Sequence, residues 1–222
     1  MAEASFALLD GRGVLHIAGE DRVPFLQGLV SNDVSKVAGD RAVYSAFLTP
    51  QGRFLHDFFL IEREGAFLLD CEAARAADLK RRLTLYKLRS KVTLAEASAE
   101  WQVFVAWGDG AAQSFGLDQE PGAAVAFAGG IAFIDPRLQR LGVRLLLPQQ
   151  SGSTALEALG LARGDAADYH RLRIAEGVPD GSRDLVVDRA ILLENGFDEL
   201  HGVDWQKGCY MGQELTDRKS VV

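Results

Sequence analysis

The chain has 222 residues, 48% of them hydrophobic, enough to bury a sizeable core as one large domain or two small ones. Its 31 acidic and 24 basic side chains give a formal charge of -7, which argues against a broadly basic nucleic-acid surface and against direct nucleic-acid binding. No apolar run reaches the roughly 18 residues a membrane-spanning helix needs, and the start Met1-Ala2-Glu3-Ala4-Ser5 lacks the basic and apolar stretches of a signal peptide.

Ser5 to Leu9 and Val14 to Ile17 read as short strands around the turn Asp10-Gly11-Arg12-Gly13. A helix is signalled from Glu20 and Asp21, with Pro24 early, where a helix tolerates it, and Phe25, Leu26 and Leu29 as its apolar face. Val43 to Leu48 and Phe54 to Ile61 read as strands joined by Thr49-Pro50-Gln51-Gly52-Arg53, and Glu64-Gly65 turns the chain into Ala66 to Leu69. Glu72 to Leu88 has helical composition with basic residues late, where the macrodipole favours them. Lys91 to Leu94 and Trp101 to Trp107 return to strand patterns. Short links and mixed elements predict an α+β fold with antiparallel sheets and packed helices, without the regular alternation of a nucleotide-binding fold.

Gly108 to Gly130 is rich in Gly and Ala and reads as a connection. It divides an N-terminal α+β lobe, residues 1–108, from a second α+β lobe, residues 109–222. In the second lobe Ile131 to Ile134 and Leu141 to Leu147 read as strands, and Thr154 to Leu159 and Asp165 to Glu176 as helices. Residues 180–206 look irregular.

The most informative run is Lys207-Gly208-Cys209-Tyr210-Met211-Gly212-Gln213-Glu214. Glycines leave the thiol unshielded, and a nearby ammonium favours thiolate. That describes an accessible, activated Cys209; a buried small hydrophobe is the alternative, because free cysteines are usually buried. Cys209 has no second Cys or His at ligand spacing, and His201 lies eight residues upstream, so no metal site can be built from neighbouring residues. Cys71, after Phe67 to Asp70, reads as a packed core residue. Two cysteines make no disulfide framework, and a reducing cytoplasm is the expected setting.

The run KGCYMGQE resembles the signature of the YgfZ family, folate-binding proteins related to the T-protein (aminomethyltransferase) of the glycine cleavage system. A mitochondrial branch of that family acts late in iron–sulfur protein maturation. Other segments resemble the family in the same order: Phe25 to Asp33, Leu48 to Asp57, Tyr86 to Val92, Arg173 to Pro179, and Leu193-Glu194-Asn195. The resemblance implies a T-protein-like folate-binding body around a central cavity. A small C-terminal β-barrel usually follows, and with only eight residues after Glu214 it is expected to be absent.

By that resemblance Asp57 matches the T-protein aspartate facing folate, and a carboxylate suits the adjacent N–H donors of a pterin edge. Glu194 matches a carboxylate ahead of the cysteine run and either contacts the ligand or caps a loop. Arg89 either attracts the glutamate tail of folate or makes a surface salt bridge. Asn32, beside Asp33, either shapes the cavity wall or terminates the preceding helix. Tyr210 is expected to stack or hydrogen-bond near the thiol, and Lys207 to tune it electrostatically. The T-protein carries a functional glutamate in an Arg-Leu-Glu-Ala-Gly segment. Here Ala175 stands at that position, and Glu176 lies one residue, about 100°, further round the helix.

The resemblance implies a tetrahydrofolate-binding accessory protein in iron–sulfur cluster assembly or repair, with indirect effects on tRNA modification. Cys209 would be the reactive residue, offered to a transient cluster shared with a partner assembly protein. A folate-dependent aminomethyltransferase and a non-catalytic folate-binding regulator are the alternatives; Ala175 and the cysteine run point away from the first.

Overall fold

The first two strands are neighbours in sequence but separate in space. Strand β1 (Ser5–Leu8) and strand β2 (Arg12–Ala18) join different sheets. The structure is a computed structural model that describes residues 4–150 and 152–219; Met1–Glu3 and the last residues of the tail, expected above to carry no signal peptide and no barrel, lie outside the described residues.

The first sheet holds β2 together with β3 (Val43–Leu48), β4 (Phe54–Arg63), β5 (Ala66–Glu72) and β6 (Thr93–Glu96), in the order β3-β4-β5-β2-β6. The second holds β1 together with β7 (Trp101–Trp107), β8 (Ala124–Phe127), β9 (Gly130–Ile134), β10 (Val143–Pro148) and β11 (Ala162–Arg163), in the order β11-β1-β7-β10-β9-β8. Pairing is antiparallel throughout both sheets except between β1 and β11. The α+β reading with antiparallel sheets therefore describes the fold, and both sheets are open. The sheets do not divide at residue 108: β1 and β7 precede it yet build the second sheet.

The two sheets face each other. One core cluster fills the space between them, with Val14, Tyr44, Phe59 and Leu68 from the first sheet and Val103, Val105, Phe133 and Leu146 from the second. Helices cover the outer faces. Helices α1 (Arg22–Gln27) and α2 (Ala76–Tyr86) bury Phe25, Leu26, Leu79 and Leu83 against the first sheet. Helices α3 (Ala111–Ser114) and α4 (Gly152–Ala158) bury Ala112 and Leu156 against the second. Each fully buried Phe or Leu contributes about 1.5–3 kcal/mol. The remaining helices, α5 (Ala166–Ala175) and α6 (Gln213–Lys219), lie late in the chain.

A bulge decides what β4 presents to each side. Phe47 pairs with His56 and Leu48 with Phe54, so Leu55 is the extra residue. Beyond it, Phe58 and Leu60 turn to the α1/α2 layer, whereas Phe59 and Ile61 turn to the opposite sheet. Asp57 shares the second orientation, because strand side chains alternate. The bulge therefore aims a carboxylate between the sheets and His56 at α2, where its Nε2 lies 3.1 Å from Asp78 Oδ2.

Candidate functional site

Charged residues occupy the inter-sheet layer on one side of this core. Asp70, on β5, is fully buried and takes Arg12 Nε at 2.6 Å and Arg144 Nη2 at 2.6 Å. Arg144 comes from β10, so this carboxylate ties the two sheets together. Asp135 pairs with Arg137 through Nη2 at 2.8 Å and Nε at 3.0 Å. The guanidinium carbons of Arg144, Arg137 and Arg12 stand 4.1, 4.8 and 5.8 Å from the centre of the Phe59 ring. Buried charges persist only when paired in this way. The arginines line a cavity of about 380 Å³, whose walls also include Glu72, Tyr169, His170, Arg173, Asp180 and Arg183.

Asp57 is buried and is not among the residues that line this cavity; its Oδ2 accepts a 2.8 Å hydrogen bond from Tyr44 Oη. Burial raises its carboxyl above the usual range, and the Arg12 guanidinium opposes that rise. Gly181 covers the other oxygen: a Cβ there would stand 3.0 Å from Asp57 Oδ1, and its φ is +51°. Tyr44 is itself pushed well above the usual phenol range by burial and by Asp57, so it stays a donor.

The cysteine run forms a loop pinned at both ends. Lys207 Nζ donates to the carbonyls of Val30 and Asn32, just past α1. Burial pushes this lysine down to about 8. Met211 N donates to Gly28 O at 3.1 Å. Gly212, at φ +83°, packs on the Thr49–Gly52 turn, where a Cβ would stand 2.5 Å from Thr49 O. Between these anchors Cys209 is exposed, preceded by Gly208 at φ +85°. Tyr210 turns inward and is buried in the inter-sheet core, and Lys207 Nζ stands 5.1 Å from its ring centre. Burial raises the Tyr210 phenol, offset in part by Thr216. Cys71 is buried, and burial pushes its thiol up to about 12.

The structure brings some of the expected residues together and separates others. Asn32 lies beside the cysteine loop, but its amide is committed: Nδ2 donates to Tyr44 O at 2.7 Å and His201 O at 2.6 Å, and Oδ1 accepts from Asp33 N. Arg89 follows the end of α2 and is exposed. That helix covers the face of the first sheet away from Asp57, so Arg89 does not meet the cavity. Glu194 is exposed on a single 3-10 turn, Leu193–Asn195, and is not among the cavity's lining residues. Glu176 ends α5 and reaches Arg140 at 3.7 Å. Among the described residues no group of three or more His, Cys, Asp or Glu is arranged to hold a metal ion. None of their helices is long and apolar enough to cross a membrane.

Sequence reasoning missed most of the cavity: Arg12, Arg137, Arg144, Tyr169, His170, Asp180 and Arg183. Arg173 alone of the buried arginines falls inside a segment that resembles the family, Arg173 to Pro179.

Comparison with known proteins narrows the family resemblance. No protein-family model matches the chain. The fold matches that of the glycine cleavage system aminomethyltransferase T from Bartonella henselae, with a TM-score of 0.77 over 99% of this chain and 64% of that one, at 15% identity. In sequence, the chain is 38% identical over 95% of its length to the mitochondrial iron–sulfur cluster assembly factor IBA57 of Homo sapiens. It is 37% identical to that of Mus musculus and 36% identical to the homologue of Mycosarcoma maydis. The chain spans 61%, 61% and 51% of these relatives' lengths. All three are named mitochondrial, which overturns the cytoplasmic expectation. The expectation rested on the lack of a disulfide framework, which does not distinguish one reducing compartment from another. The finer resemblance likewise moves from YgfZ to the mitochondrial assembly factors. The chain thus has the fold of the glycine cleavage aminomethyltransferase and the sequence similarity of the IBA57 iron–sulfur cluster assembly factors.

Proposed function

We infer that this chain acts in mitochondrial iron–sulfur cluster assembly by lending Cys209 as one thiolate ligand to a cluster in transit. The observation that carries this reading is an exposed cysteine on a loop anchored by Lys207 and Gly212. Anchoring fixes the sulfur's position, and exposure lets another protein reach it. A cluster needs about four ligands, and no neighbouring group supplies them among the described residues. The remaining ligands therefore come from a partner protein of the assembly machinery. The IBA57 names of the relatives support the same role.

The second element of the reading is a tetrahydrofolate-type ligand in the inter-sheet cavity. The residues fit such a group. Asp57 is a buried carboxylate with one oxygen held by Tyr44 and the other facing Gly181, where no side chain stands. Asp57 would accept the ring-edge N–H donors of the pterin, Tyr44 would keep the carboxylate oriented, and the arginine-lined walls would face the rest of the ligand. When bound, a reduced folate supplies a one-carbon acceptor or a reducing ring. This chain's residues bind it and shield it from water.

The test is complementation of cells depleted of the native protein, read as activity of cluster-containing enzymes. Cys209→Ser should fail while keeping the wild-type melting temperature. Asp57→Asn keeps an acceptor for Tyr44 and should lose folate binding without unfolding. Full rescue by Cys209→Ser would sink the thiolate role, and wild-type folate affinity in Asp57→Asn would sink the folate role.

A further inference from the structure

One short turn separates Asp57 from the arginine-lined cavity. Asp180 and Arg183 line the cavity, whereas Gly181, between them, is buried against Asp57, and a Cβ on it would stand 3.0 Å from Asp57 Oδ1. Residues 180–184 therefore form a partition, with the cavity on one side and the buried carboxylate on the other.

The partition is held by polar contacts. Val178 and Leu185 flank it and are buried in the inter-sheet core, but the run between them, Pro179-Asp180-Gly181-Ser182-Arg183-Asp184, carries no large apolar side chain. Arg173 Nη1 fixes both flanks, donating to Val178 O at 3.0 Å and to Asp184 Oδ2 at 2.6 Å. The tie nearest Asp57 is a latch to the end of β5. Ser182 Oγ donates to the Glu72 carboxylate, 2.8 Å from Oε1 and 2.9 Å from Oε2, and Ser182 N lies 3.3 Å from Oε2. A segment anchored at its ends, with few buried apolar contacts between them, opens at a lower cost than the strands around it. Gly181, at φ +51°, can absorb the change in backbone angles that such opening requires.

We propose that residues 180–184 are a lid over Asp57, latched by Ser182 on Glu72. Breaking the latch lifts Gly181 from the carboxylate and joins the space at Asp57 to the cavity. Reclosing excludes water from the ligand that has entered. Asp57 serves here as the ring acceptor of the folate reading, on which this inference rests. The lid supplies the route by which a ring reaches a carboxylate that the closed turn covers.

The experiment compares the full chain with its Ser182→Ala and Ser182→Thr variants in two measurements. Hydrogen exchange read by mass spectrometry follows opening without any ligand. The amides of Arg183, Asp184 and Leu185 donate to Asp180 O and Gly181 O within the turn. They should exchange about tenfold faster in Ser182→Ala, the loss of one hydrogen bond to a charged acceptor. Ser182→Thr, which keeps the hydroxyl, should restore the wild-type rate. Stopped-flow fluorescence with 5-formyltetrahydrofolate follows admission. The wild-type binding rate should level off at high ligand concentration, where opening limits it, and Ser182→Ala should raise that plateau about tenfold. Unchanged exchange in Ser182→Ala overturns the lid, as does faster exchange spread over the whole chain. Binding at one rate in all three proteins also overturns the lid and leaves the folate reading standing. Failure of 5-formyltetrahydrofolate to bind any of them overturns the folate reading, and this inference with it.

Discussion

Gly52 and Gly212 meet backbone to backbone: a Cβ on Gly212 would stand 3.0 Å from Gly52 Cα, and one on Gly52 would stand 2.7 Å from Gly212 O. Two segments 160 residues apart in sequence thereby hold each other, and the contact sets where the Cys209 loop leaves the body. Gly212→Ala should cost about 1–3 kcal/mol, from a left-handed φ and a clash with Thr49 O. Gly208→Ala has the same handedness but open space around it, and should cost no more than about 1–2 kcal/mol. Urea denaturation gives both values. Alkylation of Cys209 under native conditions should change in rate for the first variant, because its anchor is displaced.

Asp70 holds β10 to the first sheet. Asp70→Asn leaves Arg12 and Arg144 buried beside a neutral amide and should cost about 3–5 kcal/mol. Arg144→Met, which leaves Asp70 with Arg12, should cost less. Reversible denaturation midpoints order the two. Equal stability of Asp70→Asn and the wild type would remove this carboxylate from the inter-sheet support.

His56 makes stability depend on pH. Burial, with Arg75 nearby, pushes its imidazole down to about 4, although Asp78 pulls the other way. The unfolded value is about 6.5, so the unfolded chain binds more protons between those limits and stability rises with pH there. The contribution is complete above about pH 6.5 and is lost as pH falls toward 4, on the order of 3 kcal/mol in all. Burial opposes the charged form of Asp78, but bonds from Arg82, Arg81 and His56 hold it low, so its own loss begins only below the ordinary carboxylate range. Urea midpoints followed from pH 7 downward, at about half-unit steps, should show the slope, and His56→Gln should flatten it.

Much of the fold was legible because strand and helix periods write themselves into apolar spacing. Phe54 to Ile61, Trp101 to Trp107 and Ile131 to Ile134 sit within a residue or two of β4, β7 and β9. Strand β8 was lost inside the Gly- and Ala-rich connection, since Ala-Val-Ala-Phe carries little polar alternation. The helix expected over Glu72 to Leu88 is shorter, because its first turn is 3-10 and Leu88 takes a φ of +42°. Which face each element presents was not legible. Arg89 stands in a block that resembles the family, yet linear order says nothing of the side of the sheet on which α2 packs. The arginines of the cavity were invisible for a different reason. A charged residue is read as exposed unless its partner is known, and Arg12 and Arg144 share a partner, Asp70, that is distant from both in sequence. The cysteine run was legible as a motif, but its anchors Gly28, Val30 and Thr49 were not.

The central claim is that Cys209 supplies one ligand to a cluster shared with a partner, and the visible absorption and Mössbauer spectra of such a complex test it most directly. The full chain is mixed with a cluster-loaded assembly protein in ⁵⁷Fe-labelled form and the one-to-one complex is isolated. The wild type should retain the cluster with an altered iron environment, and Cys209→Ser should weaken cluster retention by about ten- to a hundredfold. A Cys209→Ser complex that keeps the cluster with unchanged spectra and stoichiometry would contradict the account.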